Sequence, residues 1–236
     1  MRILKMEKCV VLFSGGVDST TALYWARRRF KKVYALTIDY GQLHRVEINM
    51  ARWTAKRINV SHKILHVDLK SIGGSSLLNA KIPLPYPNNM QEIIEAIPST
   101  YVPFRNGILL ALAAAWAEVE GAKKIVGGFN AIDSPNYPDT RGVFVQAMEK
   151  AINLGTKAAT SKDNFEILAP FLNMRKSEII KAGLSLKVDY AYTISCYSGY
   201  ERPCRRCSSC LFRQTAWDEI GKKDPLFLRL EQEGKL

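Results

Sequence analysis

Two constellations in this chain have residue types and spacings that can do chemistry. The first is Phe13-Ser14-Gly15-Gly16-Val17-Asp18-Ser19-Thr20, with Thr21 directly behind it. Two glycines let a backbone fold tightly with its N–H groups turned one way. Ser14, Ser19 and Thr20 add hydroxyl donors, and a helix starting here presents the positive end of its dipole. Such a nest suits a pyrophosphate. It is not the lysine-containing phosphate loop, because no Gly-Lys-Ser/Thr follows, and it is not the G-x-G-x-x-G dinucleotide fingerprint. The second constellation is Cys196, Cys204, Cys207 and Cys210, spaced C-x7-C-x2-C-x2-C. Four thiolates this close suit tetrahedral zinc, which would pin the C-terminal tail near the active site. Two disulfides, an iron–sulfur cluster and sulfur transfer at one C-x-x-C pair are open to the same spacing, although a cytosolic chain would keep its thiols reduced. The remaining cysteine, Cys9, falls in an apolar run and reads as a small buried hydrophobe.

Further polar groups fall where a sheet would deliver them. Asp39-Tyr40-Gly41-Gln42 follows a β-rich run and can contact adenosine or a second substrate, or be a plain helix-leading turn. In Pro103-Phe104-Arg105-Asn106, Arg105 can grip a phosphate or carboxylate bidentately, or simply face solvent. Asn130, Asp133 and Asp139 follow the run Gly127-Gly128-Phe129, with Arg141 close behind. The two acids can hold Mg²⁺ or accept donors from a heterocycle; isolated loop acids are otherwise solvated. Lys176 begins a helical pattern and can meet phosphate or be plain surface charge. His62 and His66 flank a strand and face solvent or a neighbour. No Ser–His–Asp arrangement and no glutaminase is visible, so any nitrogen used would arrive as free ammonia.

The elements that must position these groups alternate. Apolar, β-rich runs at 9–13, 33–38, 63–67, 124–129 and 166–169 predict strands, and helical spacing marks 19–29, 44–58, 107–119, 143–154 and 176–181. Asp18 and Ser19 are cap candidates for the first helix. This alternation predicts an α/β fold with a doubly wound, mainly parallel sheet. Residues 73–103, rich in Pro, Asn and Ser, are expected to loop over the sheet edge. The reading divides the chain into residues 1–194 and a four-cysteine appendage, 195–236, packed on them.

Composition is that of an ordinary globular chain, with 47% hydrophobic and 24% charged residues over 236 positions. The longest apolar stretch, 107–117, falls short of the ~20 residues a membrane span needs. The run at 9–13 is too short for a signal-peptide core, so a cytoplasmic location is expected. The net charge of +12 concentrates early: residues 1–70 hold 14 Lys and Arg against 5 Asp and Glu. Part of that excess, Arg27 to Lys32, complements a helix C-terminus. A field this positive attracts any polyanion without choosing between ATP and RNA.

The loop after the first strand resembles the PP-loop of the ATP pyrophosphatase superfamily. With FSGGVDSTTAL, DYGQLHRVE, LKSIGGSSL, PSTYVPFRN, NAID…YPDTR and CYSGYERPCRRCSSCLFR together, the chain resembles the 7-cyano-7-deazaguanine synthase family over almost its whole length. It departs at Phe104, where that family commonly has Gly or Ala, and at Ser134-Pro135-Asn136, where it often has Tyr-Ser-Gly. The resemblance implies an adenine nucleotide alpha hydrolase-like fold and ATP-dependent conversion of 7-carboxy-7-deazaguanine and ammonia to the nitrile, through an amide. It also implies a homodimer acting on a free base in the queuosine or archaeosine route, with no membrane and no direct nucleic-acid contact. The expected site places Phe13, Ser14, Gly15, Gly16, Val17, Asp18, Ser19, Thr20, Thr21 and Asp39 on ATP, with Mg²⁺. Tyr40, Gln42, Arg105, Asn106, Asn130, Asp133, Asp139 and Arg141 meet the base; Ser14, Asp18, Arg105 and Lys176 serve the reaction, and the four cysteines hold Zn²⁺. The competing readings are a PP-loop enzyme that modifies tRNA directly, favoured by the charge, and a non-enzymatic ATP-binding regulator.

Overall fold

Successive residues of the first strand, β1 (Met6–Leu12), bury in opposite directions: Val10 and Leu12 enter one core layer, Cys9 and Val11 the other. A strand covered on both faces must be apolar throughout, which is why this run does not alternate. The computed structural model describes residues 6–87, 92–93, 97–132, 136–161 and 163–236. Beside β1 lie β2 (Phe30–Asp39), β3 (Ser61–His66), β4 (Lys124–Val126) and β5 (Glu166–Leu168), all parallel, in the order β3-β2-β1-β4-β5. The helices are α1 (Val17–Arg29), α2 (Val46–Arg57), α3 (Arg105–Glu120), α4 (Gly142–Gly155), α5 (Lys176–Ser185), α6 (Ser208–Ile220) and α7 (Pro225–Gln232). Leu110, Ala113 and Ala117 of α3, with Val145 and Ile152 of α4, cover one sheet face. Ala22, Leu23 and Ala26 of α1, Ala51 and Ala55 of α2 and Ile179 of α5 cover the other. The sheet is thus doubly wound, as expected. Its strand order reverses between β1 and β4, and the crevice beyond their carboxyl ends is where such sheets bind ligands.

The segment after residue 195 shares a core with the sheet domain. Val17, Ile180, Tyr190, Ala216 and Trp217 form one cluster, with the Tyr190 and Trp217 rings edge to face at 5.6 Å. Tyr190 Oη also lies 2.7 Å from Thr21 Oγ1. Arg213, 4% exposed, donates to Asp224 through Nε at 2.6 Å and Nη2 at 2.9 Å, and to the carbonyls of Thr193 and Tyr190.

Several boundaries differ from expectation, for physical reasons. Gly16, not Asp18 or Ser19, is the N-cap of α1, and no side chain caps it; the Ser19 and Thr20 hydroxyls instead donate back to the Gly16 carbonyl. β2 starts at Phe30, because that buried ring lets the chain reverse out of α1 without a loop while Lys31 and Lys32 stay exposed. β4 stops at Val126, after which Gly127 N donates to Leu168 O and the chain leaves the ladder. His62 and His66 lie within β3 rather than beside it, and half-buried His62 meets Thr37 Oγ1 at 2.8 Å. The sequence reading also passed over α6 and α7. The signal for α7 was present: Asp224 accepts from Leu226 N and Pro225 occupies the first turn. Among the described residues, no helix is long and apolar enough to cross a membrane.

Arg213→Ala would leave the Asp224 carboxylate buried without its cation and the Thr193 carbonyl without its donor. The variant is expected to lose about 3–5 kcal/mol in urea unfolding; a loss under about 1 kcal/mol would remove this pair from the account of how the tail is held.

Candidate functional site

A cavity of about 310 Å³ opens at the strand-order reversal. Phe13, Ser14, Gly16, Val17, Asp18 and Ser19 line one end of it. Gly15 stands at φ +90°, and a Cβ there would lie 2.4 Å from the Glu47 carbonyl oxygen and 2.9 Å from Ala51 N. Only glycine allows that turn and that approach of α2 together. On the opposite side, a Cβ on Gly128 would lie 2.9 Å from Ser19 N, so the loop after β4 also needs glycine to close on α1. The loop amides are lightly held: Ser14 N donates to Ser19 Oγ at 3.2 Å and Gly16 N to Ser14 Oγ at 3.3 Å. The first-turn amides of an uncapped helix have no intrahelical acceptor, so the end of α1 offers donors and positive potential.

Lys176, at the start of α5, places Nζ 2.5 Å from Asp18 Oδ2, while Asp18 Oδ1 is buried without a partner among the described residues. A carboxylate oxygen left this way beside a phosphate nest fits a divalent cation. Thr20 and Thr21 are fully buried and point into the helix core rather than the cavity, donating to the Gly16 and Val17 carbonyls.

Across the cavity, Tyr40, Arg105, Asn106 and Asn130 all line the wall. Arg105 Nη1 donates to Tyr40 Oη at 3.3 Å, which fixes the guanidinium over the cavity. Asp139, Gln42, Asp39 and Arg141 stand outside the lining. Asp139 Oδ2 accepts from Asn106 N at 2.9 Å and so braces the start of α3. Gln42 ties Tyr40 N to Glu47, and Asp39 takes Arg45 Nη2 at 2.5 Å and His66 Nδ1 at 3.3 Å. Arg141 is an exposed N-cap residue of α4, and Asp133 lies outside the described residues.

The cavity also takes residues that sequence reasoning missed: His44, Glu47, Tyr197, Ser208 and Ser209. His44, just before the N-cap of α2, and Glu47, in its first turn, are three apart, a readable spacing. Tyr197, one residue past Cys196, could be found only from the tertiary fold. Burial, outweighing the Glu47 carboxylate, draws the His44 pKa below its ordinary value, so the ring is neutral. Burial likewise pushes the Tyr40 and Tyr197 phenols up, and both remain O–H donors.

The four C-terminal sulfurs lie within 4.8 Å of one another. Hydrogen bonds from Cys207 and Cys210 draw the Cys196 thiol far below the usual range, and the hydrogen bonds they share with Cys196 push Cys207 up to about 12 and Cys210 higher still. Four such sulfurs can all ionise only around a cation, so the donor set fits a thiophilic metal. By contrast, burial pushes the Cys9 thiol far up, as suits an inert core residue.

The family described as "Queuosine biosynthesis protein QueC" matches residues 8–221. The 7-cyano-7-deazaguanine synthase of Trichodesmium erythraeum is 43% identical, covering 93% of this chain and 99% of its own length. That of Azotobacter vinelandii is 44% identical, covering 93% and 97%. Among solved structures, the U34-tRNA thiolase NcsA from Methanococcus maripaludis, with its [4Fe-4S] cluster, has a TM-score of 0.47 at 16% identity, covering 97% of this chain and 67% of that one.

Two outcomes test the site. Gly15→Ala is expected to abolish the thermal stabilisation that ATP gives the unaltered protein, because α2 must back away; an undiminished ATP shift would contradict the geometry. Cys207→Ser is expected to lose bound metal and several degrees of Tm, with metal content read by elemental analysis. Full retention of metal would exclude the cluster as a metal site.

Proposed function

The chain belongs to the queuosine biosynthesis protein QueC family, and from that premise we propose that it converts 7-carboxy-7-deazaguanine and ammonia to 7-cyano-7-deazaguanine by adenylation. The observation that carries this reading is that one cavity holds a pyrophosphate nest at one end and an Arg-gripped polar wall at the other. An enzyme that joins a carboxylate to the α-phosphorus of ATP requires both in one space.

A carboxylate resists ammonia because its carbon is a poor electrophile and its oxide a poor leaving group. Arg105 holds the carboxylate in line with ATP, and one oxygen attacks the α-phosphorus as the bond to the β-phosphate breaks. The amides of Ser14 to Ser19 receive the charge that develops on the departing pyrophosphate, where preorganised donors gain most. Lys176 adds a cation at the same place. Ammonia then attacks the acyl carbon, AMP leaves, and the amide forms. A second activation, now of the amide oxygen, allows loss of AMP and a proton to leave the nitrile. Asp18, through its unpartnered Oδ1, would hold Mg²⁺, which supplies charge neutralisation on the phosphates. Zn²⁺ on the four cysteines would be structural, closed by four protein ligands. In this reading residues 1–194 carry the nucleotide, residues 195–236 are a zinc-bearing appendage, and the enzyme works in the cytoplasm as a homodimer on a free base.

AMP and pyrophosphate, and not ADP and phosphate, are the expected products of ATP when the carboxylated base and ammonia are supplied. Asp18→Ala is expected to lower turnover at least about a hundredfold with its circular dichroism unchanged. Release of ADP, or a fully active Asp18→Ala, would overturn the reading.

A further inference from the structure

His44 and Glu47 line the cavity, yet the adenylation steps leave them without work. His44 is 6% exposed. Its Nε2 lies 3.5 Å from Glu47 Oε1, so the hydrogen of the neutral ring belongs on Nε2, facing the carboxylate. That tautomer leaves Nδ1 as an acceptor, and Nδ1 is buried with no partner among the described residues. Structures keep few such orphans, and this one belongs to a residue of the cavity wall. The pair is held rigidly. Gln42 Nε2 donates to the same Glu47 oxygen at 3.1 Å, the Tyr197 ring stands edge-on to the imidazole at 6.0 Å, and Gly199 comes so close that a Cβ there would lie 2.9 Å from the Leu43 carbonyl oxygen.

A carboxylate and a neutral imidazole together select a small cationic N–H donor, and the one reactant of that type is ammonium. Its place also suits the reaction. Of the two cationic side chains in the wall, Lys176 is tied to Asp18, so the carboxyl group falls to Arg105. Arg105 is joined through Tyr40 and Gln42 to the same Glu47, which links the acceptor pair to the residue that grips the carboxyl group.

We propose that the His44–Glu47 pair is the site that captures ammonium and removes its proton before attack. This rests on the reading of the reaction given above. In the step, one N–H bond of ammonium breaks and its proton forms an N–H bond at His44 Nδ1. Glu47 balances the imidazolium, and the freed lone pair of ammonia attacks the acyl carbon. AMP then leaves with the C–O electron pair, and the nitrogen loses its surplus proton to solvent.

The test uses the full-length protein and two variants, His44→Gln and Glu47→Gln. Each is assayed for amide and nitrile formation against ammonium chloride, and for exchange of labelled pyrophosphate into ATP with the carboxylated base alone. In both, the KM for ammonium is expected to rise about tenfold or more, and product formation to fall at least about tenfold further than exchange does. Hydroxylamine, which is neutral at neutral pH, is expected to restore acyl transfer in His44→Gln, a rescue that a merely structural role for the ring would not give. An unchanged KM for ammonium in both variants, or a KM increase confined to the carboxylated base, would overturn this inference alone. Absence of base-dependent exchange in the unaltered protein would overturn the adenylation reading, and this inference with it.

Discussion

Gly15 lies where the backbone of α2 presses on the phosphate loop, with its φ at +90° and room for no side chain against the Glu47 carbonyl. That one contact sets the spacing of everything else in the site. It brings the first turn of α2 to the loop, so His44 and Glu47 stand a fixed distance from the nest. From behind, Ile194 N donates to Gly15 O at 3.2 Å, so the C-terminal segment clamps the same residue. The loop is therefore shaped largely by two neighbours, and the Ser14 and Gly16 amides are held only by long bonds to the Ser19 and Ser14 hydroxyls, which an anion can displace. Since α1 carries no capping side chain, the donors that other helices spend on themselves are available here.

The tail after residue 195 does three jobs through three kinds of force. Its apolar side, Ala216 and Trp217, completes a core with Val17 and Ile180. Arg213 and Asp224 fasten it by a buried ion pair that is satisfied on every side. The cysteine cluster packs with Ile194, Val46 and Met50, which ties the four sulfurs to α2 and so to the cavity wall. A metal here would not need to touch substrate to matter: it would fix Tyr197 and the start of α6, both part of the lining.

Much of this was legible in the residues alone. The phosphate loop, the parallel sheet and the sulfur cluster are local patterns, and Ser14, Asp18, Arg105 and Lys176 all face the cavity. What could not be read is which polar groups turn inward. Asp39, Gln42 and Asp139 have the same chemistry as cavity residues, yet each is used to brace a neighbouring amide or side chain. His44 and Tyr197 enter the site through packing between α2 and the tail, a contact separated by about 150 positions, as their own numbers show, and no local spacing encodes it. Phe104 is a departure that the fold makes intelligible: it stands at φ +54°, a conformation glycine adopts freely, and its ring folds over Gly107 and meets Phe144.

The central claim is that a substrate oxygen, and not water, takes the nucleotidyl group from ATP. Substrate labelled with ¹⁸O in its carboxyl group decides this in one turnover. The account predicts that the label appears in the phosphate of AMP, with none in pyrophosphate. Label released only as water, with unlabelled AMP, would contradict it.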